Sequence, residues 1–180
     1  MIRPDWIAVD WGTSSLRAWA MTDDGQGLAM LCSDQGMGVL TPDQFEGALF
    51  DLIGDWSIDS HTPVIACGMV GAKQGWIETP YDTTPCKPQA SMIAAPTQSG
   101  ALNVQIIAGI CQAKPADVMR GEETQIAGFL RLNPKWDGVV CLPGTHTKWV
   151  HVSAGEVVSF QTFMTGEMFA LLSNQSVLRH

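Results

Sequence analysis

An acid, a glycine and a run of hydroxyls stand together at Asp10-Trp11-Gly12-Thr13-Ser14-Ser15, between the apolar Ile7-Ala8-Val9 and a second apolar stretch that starts at Leu16. Gly12 lets the backbone turn tightly and approach a ligand, because it has no Cβ. Thr13 and Ser14 add hydroxyls and amide N–H groups that suit an oxygen-rich anion such as a phosphate. Asp10 repels a phosphate directly, so the set makes chemical sense with a divalent cation or its water between them. A hairpin with a merely polar turn fits this segment equally well. A comparable tip, Pro143-Gly144-Thr145-His146-Thr147, recurs between Val139-Val140-Cys141-Leu142 and Lys148-Trp149-Val150-His151-Val152. No nucleophile–base–acid triad is visible, so covalent catalysis is not indicated.

The elements that must hold these tips are read from periodicity. Extended pieces at 7–11, 16–21 and 28–33, joined by short turns, predict an antiparallel meander. Thr41 as N-cap and Pro42 in the first turn open a helix predicted over 42–56, with Phe45, Leu49, Leu52, Ile53 and Trp56 on one face. The short apolar run 63–67, bounded by proline and glycine, predicts a buried strand. Residues 77–103 read as irregular loops with one short helix near 90–95. A further buried strand is expected at 104–109, and a helix from about 120 to Asn133-Pro134. Past Asp137-Gly138 come strands at 139–142, 148–152 and 157–163, then a helix at 167–178. Strand, Gly-Thr tip, strand, turn, strand thus occurs twice, which points to a duplicated fold with an incomplete second copy. Three strands, a helix and a parallel strand predict an α/β fold of RNase H-like type: a mixed five-stranded sheet flanked by helices, with ligand beyond the strand ends.

Composition bounds the function classes. The 180 residues are 46% hydrophobic and 16% charged, an ordinary globular balance. A formal charge of −8 argues against a nucleic-acid partner or an anionic membrane surface. No run approaches a membrane span, and the N-terminus lacks a signal-peptide core. The five cysteines at 32, 67, 86, 111 and 141 form no CxxC pair, so reduced thiols and a cytoplasmic location are expected.

Five segments resemble the 2-dehydro-3-deoxygalactonokinase family of the actin-like, hexokinase-like ATPase superfamily. They are Asp10-x-Gly12-Thr13-x-x-x-Arg17, Gly68-Met69-Val70-Gly71-x-x-Gln74-Gly75-Trp76, Asp117 to Gln125, Leu142 to Trp149, and Thr165-Gly166-Glu167. The fourth departs from the superfamily's usual Asp-x-Gly pattern, with Leu142-Pro143 before the glycine. The resemblance implies two RNase H-like domains, 1–133 and a truncated 134–180, whose tips grip a nucleotide's phosphates from either side of a cleft. It further implies that this chain is the N-terminal portion of a longer kinase.

The implied reaction passes the ATP γ-phosphate to the 6-hydroxyl of 2-dehydro-3-deoxy-D-galactonate. On that reading Asp10 holds Mg²⁺ through water, and Gly12, Thr13, Ser14, Gly144, Thr145 and Thr147 face the phosphates. Lys148 adds charge there, and His146 could donate to a phosphate. Glu122 or Glu123 is the base that takes the hydroxyl proton, and the resemblance does not choose between them. Arg17, Lys73 and Arg120 are candidates for the substrate carboxylate. Gly68, Met69, Gln74 and Trp76 would line the sugar-acid pocket, with Tyr81 beside them. The plainer reading of Trp76 is core, the commoner place for a tryptophan. Alternatives are an exopolyphosphatase-like phosphohydrolase or a non-catalytic sugar-acid-binding remnant. The implied partners are small molecules, the sugar acid and the nucleotide; a homo-oligomer is left open.

Overall fold

Period-two burial sets the first sheet. In β1 (Trp6–Trp11) the side chains of Ile7, Val9 and Trp11 are buried while those between them are not, so Asp10 and Trp11 face opposite sides. The computed structural model describes residues 1–89 and 91–179, which divide into two compact units. The first unit comprises residues 1–81 and 91–109. β1 pairs antiparallel with β2 (Leu16–Met21), which pairs antiparallel with β3 (Gly27–Ser33). α1 (Phe45–Ile53) then carries the chain across, and β4 (Pro63–Gly68) returns parallel to β1.

α1 buries Phe45, Ala48, Leu49 and Ile53, which share one helical face. It begins later than 42 because Thr41 to Gln44 form a turn of their own. Gln44 N–H donates to the Thr41 carbonyl at 2.9 Å, and Thr41 N–H donates to Gln44 Oε1 at 2.9 Å. The helix stops at Ile53, before the expected 56, although Trp56 is still buried.

After β5 (Tyr81–Thr83) come β6 (Met92–Ala94) and β7 (Asn103–Ile107). β7 lies parallel to β4, and β6 closes the edge antiparallel to β7. The sheet therefore has six strands in the order β3-β2-β1-β4-β7-β6, not five. Residues 92–94 are strand where a helix near 90–95 was expected, and Ala90 lies outside the described residues. The correction has a plain cause. A three-residue edge strand has too few positions to show a period, and its ladder to β7 decides its conformation.

The second unit comprises residues 82–90 and 110–180. β8 (Gly109–Ala113) and β9 (Ala116–Met119) form a hairpin and make a three-stranded sheet with β5 in the order β5-β8-β9. α2 (Glu122–Leu132) follows. A meander of β10 (Gly138–Leu142), β11 (Thr147–Ser153) and β12 (Glu156–Phe163) comes next, then α3 (Thr165–Gln175). Ile110, Met119, Ile126, Val140, Val150 and Phe160 belong to one core cluster. The division between units consequently falls at 109/110 and not at 133/134: β8, β9 and α2 bury their apolar side chains with the meander that follows them.

A buried polar clamp fastens β8 to β12. Gln112 Nε2 donates to the Phe160 carbonyl at 2.7 Å and to the Pro115 carbonyl at 2.8 Å, and Phe160 N–H donates to Gln112 Oε1 at 2.9 Å. Replacing Gln112 by Leu leaves those backbone groups without partners, each costing about 1–3 kcal/mol. Urea unfolding of Gln112→Leu should show a loss of at least that size; an unchanged midpoint would exclude the clamp as a stabilising element.

Candidate functional site

The first tip is shaped from behind. Gly12 N–H donates to the Ser15 carbonyl at 2.9 Å, which closes the turn between β1 and β2. The chain then passes under it after β3. Met37 N–H donates to the Gly12 carbonyl and Gly38 N–H to the Thr13 carbonyl, both at 2.9 Å. Gly36 lies so close that a Cβ there would stand 2.3 Å from Thr13 O and 2.4 Å from Ser14 C. With two tip carbonyls bonded from behind, Thr13 and Ser14 are left exposed, and among the described residues their N–H groups have no protein acceptor. That is the polarity an anion requires.

Asp10 ends β1 beside this tip, and Arg17 opposes it across the β1–β2 ladder. Arg17 Nη2 donates to Asp10 Oδ2 in an ion pair that is partly exposed on both sides. The pair engages the cation that the sequence reading had assigned to a substrate carboxylate. Gly68, at the end of β4, packs against the same strand end: with φ +95° it brings its Cα within reach of β1, and a Cβ would stand 2.7 Å from the Trp11 carbonyl.

The loop after Gly68 is a tight knot. Trp76 N–H donates to the Val70 carbonyl at 2.9 Å, and a Cβ at Gly75 would meet that carbonyl at 2.1 Å. Lys73 and Gln74 project from it into solvent, while Gly68 is buried and Met69 half-buried. Trp76 presents only a small part of its ring to a shallow cleft shared with Pro42, Glu46 and Pro96, and most of it is packed inside. Its side chain is only 5% exposed, its ring stacks on Phe45 (centroids 6.1 Å apart) and meets Trp11 edge-on, and its Nε1 donates to the Pro96 carbonyl at 3.1 Å. Trp11 in turn contacts Phe45 at 4.9 Å and donates from Nε1 to the Gln35 carbonyl at 2.9 Å. The three rings anchor the tip, α1 and the Gly68 loop to one another. Tyr81 stands apart in β5, more than a third exposed.

The second unit holds the other candidates. Between β10 and β11, Pro143 to His146 are exposed, and Gly144 N–H donates to Thr147 Oγ1 at 3.4 Å. This tip too is held from behind. Glu167 N–H, in the first turn of α3, donates to the Thr145 carbonyl at 3.1 Å, and a Cβ at Gly166 would stand 2.4 Å from Gly144 O. Thr147 and Thr165 are joined through their hydroxyls, so Thr147 is buried and supports the tip while Gly144 and Thr145 form its surface. His146 Nε2 lies 2.9 Å from Glu167 Oε2.

Lys148 is not a phosphate-facing cation. It is buried, with Nζ donating to the Val118 carbonyl at 2.5 Å and to Thr162 Oγ1 at 2.6 Å, and with Asp117 Oδ1 at 3.8 Å. A buried ammonium needs such partners, and these hold it in place between β9 and β12.

Arg120, half-buried, precedes Gly121, whose φ of +105° turns the chain into α2. The two glutamates that follow differ sharply. Glu122 is half-buried, and its Oε2 accepts from Arg120 N–H at 3.0 Å. Glu123 is fully buried; its Oε2 accepts from Gly121 N–H at 2.7 Å and its Oε1 from Thr124 Oγ1 at 3.3 Å. Burial pushes the Glu123 carboxyl up to about 7, against the opposing pull of its backbone hydrogen bonds.

The geometry thus gathers Asp10, Gly12, Thr13, Ser14, Arg17 and the Gly68 loop in the first unit. Arg120, the two glutamates and the second tip are gathered in the second. Nothing in the sequence but a glycine marks Gly36 as a tip support, and Gly166, though it lies in the Thr165-Gly166-Glu167 segment, has no role assigned to it there. Among the described residues, no three His, Cys, Asp or Glu side chains come together as a metal cage, and no helix is long and apolar enough to cross a membrane.

Residues 10–180 match the sequence model of a family described as 2-keto-3-deoxy-galactonokinase. A Rhizobium meliloti (strain 1021) protein named probable 2-dehydro-3-deoxygalactonokinase is 38% identical over 182 residues, covering 97% of this chain and 58% of the relative. The Escherichia coli (strain K12) 2-dehydro-3-deoxygalactonokinase is 37% identical over 175 residues, covering 96% and 58%. The crystal structure of a candidate 2-dehydro-3-deoxygalactonokinase from Sinorhizobium meliloti superposes with a TM-score of 0.86 at 39% identity. It covers 97% of this chain and 58% of that one. The chain therefore spans a little over half the length of these relatives.

Two outcomes are expected from this geometry. Trp76→Ala removes a ring packed on two others and should cost about 3–5 kcal/mol in chemical unfolding; a lining residue would instead change ligand affinity at constant stability. For Glu123 the folded state favours the protonated carboxyl. Its contribution to stability is fully present below the ordinary value of 4.5, falls as pH rises, and is lost above about 7. Unfolding midpoints measured between those limits should decline in the parent chain and flatten in Glu123→Gln.

Proposed function

Because the chain belongs to the 2-keto-3-deoxy-galactonokinase family, we propose that it serves a sugar-acid kinase. The reaction transfers the γ-phosphoryl group of ATP to the 6-hydroxyl of 2-dehydro-3-deoxy-D-galactonate. The observation that carries the phosphate chemistry is the first tip, whose carbonyls are bonded from behind by Met37 and Gly38 while Thr13 and Ser14 stay exposed. The names of the relatives carry the substrate, and they favour the kinase over a phosphohydrolase. The antiparallel β3-β2-β1 followed by parallel β4 and β7 supports an RNase H-like reading of the first unit. The β10-β11-β12 meander with its own glycine-backed tip supports a second, partial copy of the same design.

In this reading the N–H and hydroxyl groups of Thr13 and Ser14 donate to phosphate oxygens, Gly12 closes the turn that presents them, and Thr145, beside Gly144, offers the same donors on the second tip. Asp10 is a hard oxygen donor at the strand end, the residue that would hold Mg²⁺ through water. Bound there, the ion would neutralise charge on the phosphates. Arg17 holds the Asp10 carboxylate in place through their ion pair. Lys73 and Arg120 are the remaining cations for the substrate carboxylate, with Gln74 beside Lys73 on the exposed loop. Glu122 is the base. Its carboxylate reaches the surface, whereas that of Glu123 is enclosed. As the 6-hydroxyl oxygen bonds to the γ-phosphorus, its proton passes to Glu122, the bond to the β–γ bridging oxygen breaks, and ADP leaves.

A coupled assay for ADP release with ATP, Mg²⁺ and 2-dehydro-3-deoxy-D-galactonate tests this. Glu122→Gln should lower kcat by roughly 10²–10⁴-fold with little change in KM. Asp10→Asn should raise the Mg²⁺ concentration needed for half-maximal rate. Nucleotide hydrolysis independent of the sugar acid, or full activity in Glu122→Gln, would overturn the reading.

A further inference from the structure

Lys148 is buried where an apolar side chain would pack with no charge to desolvate. Its ammonium lies 5.9 Å from the centroid of the Phe160 ring, and Phe160 belongs to the core of the second unit with Met119 and Val150. Replacing such a buried charge and its partner by apolar groups is commonly neutral or stabilising. What the lysine adds is direction. Its Nζ donates to the Val118 carbonyl at 2.5 Å and to Thr162 Oγ1 at 2.6 Å. Thr162 Oγ1 donates in turn to Asp117 Oδ1 at 2.8 Å, and the same oxygen accepts from Val118 N–H at 2.8 Å. Donors and acceptors alternate around the cluster, so it closes in one arrangement. β9 and β12 are edge strands of two separate sheets, and the cluster ties one edge to the other.

What lies at the ends of these strands gives the tie its meaning. β9 runs directly into Arg120-Gly121-Glu122, and β11 leaves the second tip with Thr147 and then Lys148. The bonds from Arg120 N–H to Glu122 and from Gly121 N–H to Glu123 shape the loop after β9 from within. Val118 is 48% exposed, so at that position β9 is gripped by its main chain, the amide by Asp117 and the carbonyl by Lys148. We propose that Lys148 is a positioning residue: by holding the Val118 carbonyl it sets where Glu122 stands relative to the second tip. The roles of Glu122 and of the tip rest on the kinase reading, whereas the tie itself is geometry within the second unit. Phosphoryl transfer is sensitive to such placement, since a displacement of about 1 Å costs on the order of a hundredfold in rate.

Lys148→Met alone strands the Asp117 carboxylate, so the test pairs it with Asp117→Asn. That pair removes both charges and keeps an oxygen for Thr162 and for Val118 N–H. Gln112→Leu is the comparison, because it loosens the other junction of the same sheets, between β8 and β12. Amide exchange is read on the full 180-residue chain. The Arg120 and Gly121 amides, bonded to the two glutamates, should exchange at least roughly tenfold faster in the double variant while those of β10 keep the parent rate. In Gln112→Leu they should quicken only in step with β10. In the coupled assay for ADP release, the double variant should lose roughly ten- to hundredfold in kcat with little change in KM for the sugar acid. Thr162→Val removes the hydroxyl that orients both Lys148 and Asp117; it should give the same pattern at smaller size, and it carries the test should the double variant fail to fold. Parent-like exchange at Arg120 and Gly121, a quickening no larger than that of β10, or a parent-like kcat would overturn the proposal. A parent chain silent in the assay counts against the kinase reading, and the exchange comparison then decides the tie by itself.

Discussion

Both loops of interest depend on the absence of a single carbon atom. At Gly36 and at Gly166 the backbone presses so closely on a Gly-Thr tip that a Cβ would overlap the tip's own main chain. That approach lets main-chain N–H groups reach the tip's carbonyls from the rear: Met37 and Gly38 in one unit, Glu167 in the other. A short loop of small polar residues would otherwise sample many shapes. Here the Gly12, Thr13 and Thr145 carbonyls are already bonded within the protein, so the Thr13 and Ser14 amides and hydroxyls of the first tip stay free to act as a preset group of donors. The cost of ordering is met during folding and not when an anion binds.

The same economy governs the aromatic and charged residues of the motifs. Strand alternation puts Asp10 on one side of β1 and Trp11 on the other, so one dipeptide both presents an acid and anchors it. Trp11, Phe45 and Trp76 then tie the strand end to α1 and to the loop after Gly68. Lys148 follows the same logic in the second unit. Its ammonium is held by the Val118 carbonyl, Thr162 and Asp117, which makes it a cross-strand fastener behind the tip. Two residues that look like ligand contacts in the sequence thus work one layer further in, on the parts that hold the contacts.

What was legible in the chain was what has a period. β1, β2, β4, β7, α2 and the β10-β11-β12 meander were readable because alternation or helical spacing runs long enough to be counted. β6, β8 and β9 were not, since strands this short are decided by their pairing partners, and the partners lie elsewhere in the chain. The division between units at 109/110 was hidden for the same reason, because it follows from which core Ile110, Met119 and Ile126 join. The tips themselves were visible as residue types. Their supports were not, because a glycine that must be a glycine looks in sequence like any other.

The glutamate pair shows a difference in surroundings that spacing cannot reveal. Neighbours on a helix point about 100° apart, so the surroundings of one say little about those of the next. Glu123 turns inward and closes on Gly121 N–H, the amide of the residue whose positive φ starts α2. Glu122, one step earlier, takes the Arg120 N–H and keeps contact with the surface. Both satisfy amides at a helix N-terminus, where negative charge is favoured. Only Glu122 keeps its carboxylate in contact with solvent, while Glu123, enclosed, is bonded to the turn that starts the helix. The roles of the two acids are therefore separable: loss of the enclosed one should disturb the loop before it disturbs the chemistry, and loss of the exposed one should do the reverse.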